Sequence, residues 1–299
     1  MKLAIFGLGR MGMGLTKRLV QAKHEVIVWN RSEQKVQAAT EFGAKGAKSP
    51  AEAISQLPSP KIVWLMLPNG EVTETHFLQA LEQLRPGDIL IDGGNSQFND
   101  SVRRHSLAQE KQIRMLDIGV SGGLHGEKNG YAMMIGGDKS AYEQIIPALD
   151  AMCMKNGYLF AGEQPGSGHY VKMVHNAIEY GMMQAISEGF DLLKNGSFEN
   201  LPLKDIAHLW NHGTIVSSFL MEMAHNALEK DEPLKNLKPY VEDNGEGRWA
   251  AIDALNHQVP FVVNSYALHA RYISRDPDSY SFKLLAAIRN EFGGHAVKK

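Results

Sequence analysis

Short apolar runs recur through the first half of the chain and predict β-strands. They cover residues 3–6, 25–29, 62–67, 89–91, 115–118, 131–136 and 157–160. Helix-like patterns lie between most of them, for instance at 71–84, 99–112 and 139–152. Strands that alternate with helices are typical of βαβ units and of a mostly parallel sheet with helices on both faces.

The pattern changes after the turn-rich segment at 162–166. A long helical pattern from about 168 to 194 follows, and beyond it the sequence predicts further helices and no clear strand. We therefore place a domain boundary near residue 165. Residues 1–165 form a predicted α/β domain, and residues 166–299 form a predicted all-helical domain.

Four polar side chains share one face of the long helix. Lys172, His175, Asn176 and Glu179 stand at i, i+3, i+4 and i+7. The positions around them are mostly apolar, which predicts a helix that is buried on nearly all sides. Burying an amine and a carboxylate is costly unless they are paired or neutralised. A solvated or salt-bridged face is the commoner explanation, but two chemically different proton carriers together favour a catalytic one.

Composition narrows the class of protein. A chain of 299 residues with 43% hydrophobic and 21% charged residues fits a globular enzyme. The formal charge of −2 gives no support to a nucleic-acid partner. Cys153 is the single cysteine, so we expect no intramolecular disulfide, and no histidine-rich motif predicts a metal site. No signal peptide or apolar run of spanning length is visible, so we expect a cytoplasmic protein without a membrane partner.

A glycine-rich turn joins the first strand to the first helix. In it, Gly7 permits a tight turn, Gly9 lets the backbone approach a pyrophosphate, and Gly12 allows close packing of the helix on the strand. The helix N-terminus offers N–H groups to phosphates. This context predicts a Rossmann-type, doubly wound sheet, with a cofactor-binding segment made of Gly7, Leu8, Gly9, Arg10, Met11 and Gly12.

The end of the second strand predicts the cofactor. An NAD enzyme usually has an acidic residue there that accepts a hydrogen bond from the ribose 2′-hydroxyl. Here the segment reads Asn30, Arg31 and Ser32, whose donors and positive charge suit a 2′-phosphate. We therefore predict NADP as the cofactor, with NAD as the alternative.

Two further glycine-rich segments follow later strands. One is 92–96, which includes Asn95, and the other is 119–123, which includes Ser121, Gly122 and Gly123. Both lie at carboxyl ends of strands, the edge at which open α/β sheets bind ligands. Asn95 could contact both cofactor and substrate, and the second segment could cradle a carboxylate.

Together these motifs resemble the decarboxylating 6-phosphogluconate dehydrogenases, in their short-chain bacterial form, within the β-hydroxyacid dehydrogenase superfamily. The resemblance spans nearly the whole chain, and its specific part comprises segments 91–96, 172–181 and 289–295. It implies oxidation of 6-phosphogluconate by NADP with loss of CO2, which is a step of the pentose phosphate pathway. It implies Lys172 as catalytic base and Glu179 as catalytic acid. It also implies substrate contacts from Asn95, Ser121, Gly122, Gly123, His175, Asn176, Tyr180, Arg271, Arg289 and His295.

In the family that the chain resembles, Arg289 and His295 would reach the active site from a partner subunit. The resemblance therefore implies a homodimer or homotetramer with shared active sites. One segment departs from the long form of the family, which has a Lys-Gly-Thr-Gly-Lys-Trp run. This chain reads Asn244-Gly245-Glu246-Gly247-Arg248-Trp249, and Glu246 would repel a phosphate unless it is turned away. Arg248 and Arg271 could compensate, and the shorter helical domain implies a smaller or different dimer interface.

Two other functions stay open at this point. A β-hydroxyacid dehydrogenase that acts on a short or unphosphorylated hydroxy acid would need no second acid, so Glu179 and the C-terminal tail argue against it. A catalytically silent NADP-binding sensor would not need the Lys172 and Glu179 pair. The chemistry of the pair suits decarboxylation, because a buried neutral amine can accept the hydroxyl proton and a carboxylic acid can protonate the resulting enol.

Overall fold

The computed structural model describes residues 1–293, 296 and 298, which form two compact units, 1–175 and 176–299. The first unit is built on one eight-stranded sheet with the order β3-β2-β1-β4-β5-β6-β7-β8. Its strands are β1 Lys2–Phe6, β2 Glu25–Trp29, β3 Lys45–Gly46, β4 Ile62–Leu65, β5 Ile89–Asp92, β6 Arg114–Ser121, β7 Tyr131–Gly137 and β8 Cys153–Gly162.

The helices of the first unit connect these strands. They are α1 Arg10–Gln21, α2 Glu33–Glu41, α3 Pro50–Ser55, α4 Glu71–Gln83, α5 Phe98–Glu110, α6 Gly126–Asn129 and α7 Lys139–Met152. The strand pairs are parallel except for β6 and β7, which are antiparallel. The doubly wound, mostly parallel sheet that the sequence predicts is confirmed.

Alternate residues of the buried strands enter two separate cores, one on each face of the sheet. On β1, Leu3 and Ile5 belong to one core, while Ala4 and Phe6 belong to the other. All four side chains are at most 1% exposed. Parallel strands that are covered on both faces need apolar residues at every position, which explains why these segments are continuous apolar runs rather than alternating ones.

Strand β3 has no counterpart in the prediction, strand β4 ends at Leu65 rather than at residue 67, and strands β8 and β6 are longer than predicted. The edge strand β3 has two exposed residues, Lys45 and Gly46, so it carries no apolar signal. Strand β8 is longer than residues 157–160, because Cys153 already pairs with Tyr131 of β7, and residues 154–157 form an irregularity before Tyr158 pairs with Met133. Strand β6 continues through Ser121, so residues 119–121 are strand rather than a turn after it. This extension is held by β7, which pairs with it residue for residue.

The long helix α8, Ser167–Asn195, begins in the first unit and continues into the second. It is followed by α9 Leu203–Trp210, α10 Phe219–Lys230, α11 Glu246–Asn256, α12 Val262–Ile273 and α13 Tyr280–Gly293. No strand occurs among the described residues after β8. The predicted helical second half is therefore confirmed.

Among the described residues of the second unit, side chains of helix α8 pack against small hydrophobic cores at two places. Leu203 and Ala207 of α9 pack with Met221 and Leu228 of α10 in one of them. Tyr180 of α8 packs with Ala267 and Leu268 of α12 in the other. Within the part of the chain that the structure describes, no helix is long and apolar enough to cross a membrane.

Candidate active site

In the glycine-rich turn after β1, neighbouring backbone atoms leave no room for a side chain at Gly7 or Gly12. Gly7 has a φ of 99°, and a Cβ added there would collide with the Met66 carbonyl oxygen. A Cβ at Gly12 would collide with the Gly7 carbonyl oxygen. Around Gly9 there is open space, and Gly9 is the N-cap of helix α1. The turn thus presents an uncovered backbone at a helix N-terminus, which is the arrangement that binds phosphates.

The end of β2 braces this turn. The Leu8 N–H donates to Asn30 Oδ1 at 2.9 Å, and Asn30 Nδ2 donates to the Ser32 carbonyl oxygen at 3.3 Å. Asn30 therefore orders the cofactor edge through its own hydrogen bonds. Arg31 is exposed, as is Arg10 at the start of α1. Ser32 is the N-cap of α2, and Met11 is half-buried beside the core.

The segment after β5 is fixed from beneath by a buried arginine. Arg104 of α5 is 1% exposed, and its Nη1 donates to Asp92 Oδ2 at 2.7 Å and to Ser96 Oγ at 3.3 Å. Asp92 Oδ1 also accepts the Gly94 N–H at 3.1 Å. The residues on either side of Asn95 are buried, whereas Asn95 itself is exposed. The segment therefore holds the Asn95 amide at the carboxyl edge of the sheet.

Sequence reasoning missed Arg104 and Asp92. A buried ion pair needs good geometry and further hydrogen bonds to offset the loss of solvation, and Glu74 supplies one by accepting from Arg104 Nε at 3.1 Å. The dipeptide Arg103-Arg104 in a polar helix gives no sign of which cation turns inward. Only the position of the helix against the sheet decides this.

The segment after β6 turns through left-handed backbone. Gly122 has a φ of 123° and Gly123 a φ of 51°, and both residues are exposed. Side chains other than glycine rarely adopt these conformations. Ser121, the last residue of β6, is half-buried. The Gly122 and Gly123 backbone is thus uncovered next to a hydroxyl, as an anion-binding concavity requires.

Helix α8 carries its polar stripe on a buried side. Lys172 is 8% and Asn176 is 7% exposed, while His175 and Glu179 are half-buried. The Lys172 stem lies directly on the backbone of β6, because a Cβ added at Gly119 would collide with the Cβ of Lys172. Seven residues of helix separate Lys172 from Glu179 by about 10 Å along the axis.

The prediction that α8 is buried on nearly all sides is wrong for this chain. Tyr170, Val171, Ile178 and Met182 are 37–50% exposed. The polar stripe takes the inner position on the helix, so these apolar side chains are left on its outer faces. The sequence pattern shows which residues share a face but does not show which face is covered.

A buried carboxylate anchors the start of α8. Asp117 of β6 accepts the Gly166 N–H at 2.9 Å and the His169 N–H at 2.9 Å, and His105 Nε2 lies 3.1 Å from its Oδ1. Burial alone would raise the pKa of Asp117, but the His105 hydrogen bond and the neighbouring His169 and His105 lower that pKa below its ordinary value. Asp117 is therefore an ionised anchor, and sequence reasoning did not identify it.

In the second unit, Tyr180 is held by the segment that departs from the long form. The Tyr180 hydroxyl donates to Asn244 Oδ1 at 2.8 Å, and the Asn244 N–H donates back to it at 3.2 Å. The Arg271 guanidinium lies 3.4 Å from the Tyr180 ring centroid. Burial raises the pKa of Tyr180, against the lowering effects of the Asn244 amide and Arg271.

Glu246 is buried in the second unit. Its side chain is 2% exposed, and its N–H donates to Asn244 Oδ1 at 3.2 Å. Arg271 Nη1 donates to the Glu242 carbonyl oxygen at 2.6 Å, which orients the guanidinium over Tyr180. Asn244 of the replaced segment therefore holds Tyr180, while the Glu242 carbonyl just before this segment orients Arg271.

The C-terminal helix includes the first residue of the tail segment 289–295. Helix α13 continues through Arg289 to Gly293. Arg289 is exposed on this helix, and His295 lies outside the described residues. Among the residues that the structure describes, no group of three or more His, Cys, Asp or Glu side chains is placed to hold a metal ion.

Comparisons with known proteins cover both halves of the chain. Residues 2–161 match the NAD binding domain of 6-phosphogluconate dehydrogenase, and residues 168–284 match the 6-phosphogluconate dehydrogenase C-terminal domain. Bacillus subtilis YqeC is 40% identical over 299 residues, with 100% of both chains covered. The NAD(+)-dependent, decarboxylating 6-phosphogluconate dehydrogenase of Haloferax volcanii is 38% identical over 301 residues, with 100% of this chain and 99% of that protein covered.

A solved structure extends the comparison to the long form. Plasmodium falciparum 6-phosphogluconate dehydrogenase, described with its cofactor NADP+ and its substrate 6-phosphogluconate, has a TM-score of 0.85 and 31% identity. It covers 100% of this chain, whereas this chain spans 66% of that one. The matches extend across both domains, so the first unit is a dinucleotide-binding domain of an oxidoreductase, and the chain belongs to the 6-phosphogluconate dehydrogenase family.

Proposed function

We propose that this protein oxidises 6-phospho-D-gluconate to D-ribulose 5-phosphate and CO2 and reduces NADP. The observation that carries the proposal is the pair Lys172 and Glu179 on one face of helix α8, with Lys172 packed on Gly119 at the carboxyl edge of the sheet. A base and an acid on the same helix are what two successive proton transfers need. Simple alcohol oxidation would need only the base.

The chemistry assigns a different role to each residue. The neutral Lys172 amine accepts the proton of the C3 hydroxyl, and bound NADP supplies the hydride acceptor for C3. The resulting ammonium then donates to the new carbonyl oxygen, which stabilises the charge that develops there as the bond to the carboxylate breaks. CO2 leaves, and the electrons of the broken carbon–carbon bond become the double bond of an enol. Glu179 delivers a proton to the carbon that bore the carboxylate, and the Lys172 amine takes the enol O–H proton back, so that the product is released as the ketone.

Substrate contacts come from several elements. Asn95 and the segment Ser121-Gly122-Gly123 offer an amide, a hydroxyl and backbone N–H groups to the sugar acid. His175 and Asn176, beside Lys172 on α8, would hold its hydroxyls. Tyr180 with Arg271 would hold the phosphate, because the guanidinium stacked on the Tyr180 ring is a fixed cation. Arg289 and His295 would add a cation and a donor from the C-terminal tail.

One assay tests the whole proposal. The purified protein is offered 6-phosphogluconate or gluconate with NADP or NAD, and both CO2 release and cofactor reduction are measured. We expect equal amounts of CO2 and NADPH from 6-phosphogluconate. NADPH without CO2, or turnover of gluconate alone, would indicate a non-decarboxylating hydroxyacid dehydrogenase. Cofactor binding without any turnover would indicate a silent sensor.

The choice of cofactor depends on Arg31. Relatives of this chain include one named for NAD(+) and one described with NADP+, so the residues at the end of β2 must decide. We expect Arg31→Asp to weaken NADP binding by about 1.5–3 kcal/mol, since charge-assisted contacts to a phosphate are of this size, and to change NAD binding much less. Isothermal titration with both cofactors measures the difference.

The control for this prediction is Lys155→Asp. Lys155 is an exposed residue of β8, at the far end of the sheet from β2. Lys155→Asp makes the same change of charge as Arg31→Asp and should leave the ratio of the NADP and NAD affinities unchanged. A wild-type protein that binds and uses both cofactors equally would contradict the prediction.

Glu179→Gln tests the acid. We expect turnover to fall strongly while the affinities for 6-phosphogluconate and NADP stay close to wild type, because the amide keeps the shape but has no acidic proton to deliver. Steady-state kinetics and equilibrium binding measure the two effects. Glu188→Gln, an exposed position on the same helix, should behave as wild type. Near-normal turnover of Glu179→Gln would assign the protonation to another group or to water.

We infer that the helical unit pairs with a second copy of the chain. Val262, Val263 and Tyr266 of α12 are 70–74% exposed, and Leu255 of α11 is 78% exposed. Exposed apolar side chains gathered on neighbouring helices are typical of an oligomer interface. A homodimer or a dimer of dimers would cover them, and sedimentation of the purified protein measures which assembly forms.

A further inference from the structure

The start of helix α8 lies directly on the backbone of the sheet. Three glycines make this close approach feasible: Gly119 of β6, Gly136 of β7 and Gly168 of α8. A Cβ at Gly136 would lie 2.5 Å from the Gly168 N, and a Cβ at Gly168 would collide with the Asp117 carbonyl oxygen. A Cβ at Gly119 would collide with the stem of Lys172. The depth of the first turns of α8 therefore determines where the Lys172 amine lies.

Asp117 is the group that fixes this depth. The first N–H groups of a helix have no partner within the helix, and a nearby carboxylate can accept from them. Asp117 accepts two N–H groups at this end of α8, one on each oxygen, from Gly166 and His169. It is 0% exposed, and it belongs to the strand that carries Gly119 two residues later. One short piece of β6 thus contacts both the start of the helix and the lysine stem.

Two side chains of α5 hold this anchor in place. His105 Nε2 lies 3.1 Å from Asp117 Oδ1, the oxygen that also accepts the Gly166 N–H, so helix α5 contacts the carboxylate as well. Ser101 Oγ lies 2.7 Å from His169 Nδ1, which ties the first turn of α8 to α5 as well. Because strand, helix α5 and helix α8 are joined at one buried point, the carboxylate cannot rotate and the helix cannot slide independently.

We propose that Asp117 is a positioning residue for Lys172, acting through the first turn of helix α8. Lys172 follows His169 by three residues, so a displacement of the His169 N–H moves the lysine with it. The proposal rests on the proposed function, in which Lys172 is the base. It assigns to Asp117 no contact with substrate or cofactor.

Asp117→Asn is the direct test. Asparagine keeps the volume and one acceptor oxygen, but its NH2 group would face a second N–H donor, so the first turn must shift. A displacement of about 1 Å at a reacting group can cost about a hundredfold in rate. We expect kcat with 6-phosphogluconate to fall about ten- to a hundredfold, while KM values for 6-phosphogluconate and NADP change less than about threefold.

Asp88→Asn is the matched control. Asp88 is 2% exposed and also accepts two backbone N–H groups, from Lys61 at 2.7 Å and Arg85 at 2.9 Å. It lies before β5, at the opposite edge of the sheet from the carboxyl ends. Both substitutions should lower the melting temperature, but only Asp117→Asn should lower kcat. An equal loss of kcat in both variants would make Asp117 a stability residue and overturn the proposal.

A second measurement does not need turnover. Trace labelling with acetic anhydride, read by mass spectrometry of the peptide that contains Lys172, reports how accessible and how basic that amine is. We expect the labelling of Lys172, relative to exposed lysines, to change severalfold in Asp117→Asn and to stay at the wild-type value in Asp88→Asn. If the wild type does not turn over 6-phosphogluconate, the proposed function fails, yet this labelling still decides whether Asp117 positions Lys172.

His105→Gln is a milder variant for the case that Asp117→Asn does not fold. It leaves the carboxylate in place and weakens its support from α5, so a smaller fall in kcat in the same direction is expected. Unchanged kcat and unchanged Lys172 labelling, in whichever of the two variants folds, would overturn the proposal.

Discussion

Lys172→Met should abolish both NADPH formation and CO2 release. In the proposed mechanism the same amine accepts the hydroxyl proton in the oxidation and donates to the carbonyl oxygen in the decarboxylation, so neither step would have a substitute for it. Methionine has an unbranched side chain like the stem of Lys172, so it can pack on Gly119 in the same way and should preserve the fold. The loss of a positioned base and of an oxyanion donor costs about 10²–10⁴-fold and 10²–10³-fold respectively in other enzymes.

The loss of turnover in Lys172→Met must be distinguished from a general loss of folding. Lys194→Met, an exposed position at the end of the same helix, makes the same chemical change and should leave turnover at the wild-type rate. NADP binding by Lys172→Met should stay near the wild-type affinity in a calorimetric titration. If a chemically prepared 3-keto acid were still decarboxylated at the normal rate by Lys172→Met, the lysine would serve the oxidation alone.

Much of the fold could be predicted because the signals are local. The buried strands β1, β2, β4 and β5 are continuous apolar runs, and the glycine spacing at 7, 9 and 12 follows a strand and precedes a helix. The sheet topology then follows from the usual connection rules of βαβ units. By contrast, β3 has two exposed residues and pairs only at the edge, so nothing in its sequence distinguishes it from a loop.

The candidate site was predictable only in part, and the reason is again physical. Lys172 and Glu179 are separated by seven residues, about two helical turns, so their shared face is visible in the sequence. Asp117 and Arg104 contact partners far along the chain, namely His169 and Asp92. The direction in which such a charged side chain points depends on how helix and strand pack, and that information is not present in the neighbouring residues.

The sequence also does not show which side of helix α8 is buried. Apolar periodicity suggested that most faces are covered, yet Tyr170 and Ile178 are exposed while Lys172 is buried. In the proposed oligomer, the covered polar stripe of this helix would face the active site, and its uncovered apolar side chains would be available to a second copy of the chain.

Removal of the residues after Ile288 should sharply weaken 6-phosphogluconate binding and leave NADP binding nearly unchanged. The truncation removes Arg289, an exposed cation of helix α13, together with the tail that follows it. A cation that contacts a phosphate contributes about 1.5–3 kcal/mol, and the dinucleotide turn lies in another part of the chain. Equilibrium titration of each ligand measures both effects, and Lys298→Ala serves as the control for loss of charge at the terminus.

A mixing experiment shows which subunit the tail serves. A Lys172→Met chain keeps its tail, and a tail-deleted chain keeps its lysine. If the tail completes the partner's site, each heterodimer contains one complete site, and random pairing should restore about a quarter of wild-type activity. Mixing Lys172→Met with Glu179→Gln should restore nothing, because both residues belong to one helix and therefore to one site. Co-purification of two tags shows whether the Lys172→Met and tail-deleted chains associate. If they associate and still recover no activity, the tail serves its own subunit, and the prediction of a shared site is wrong.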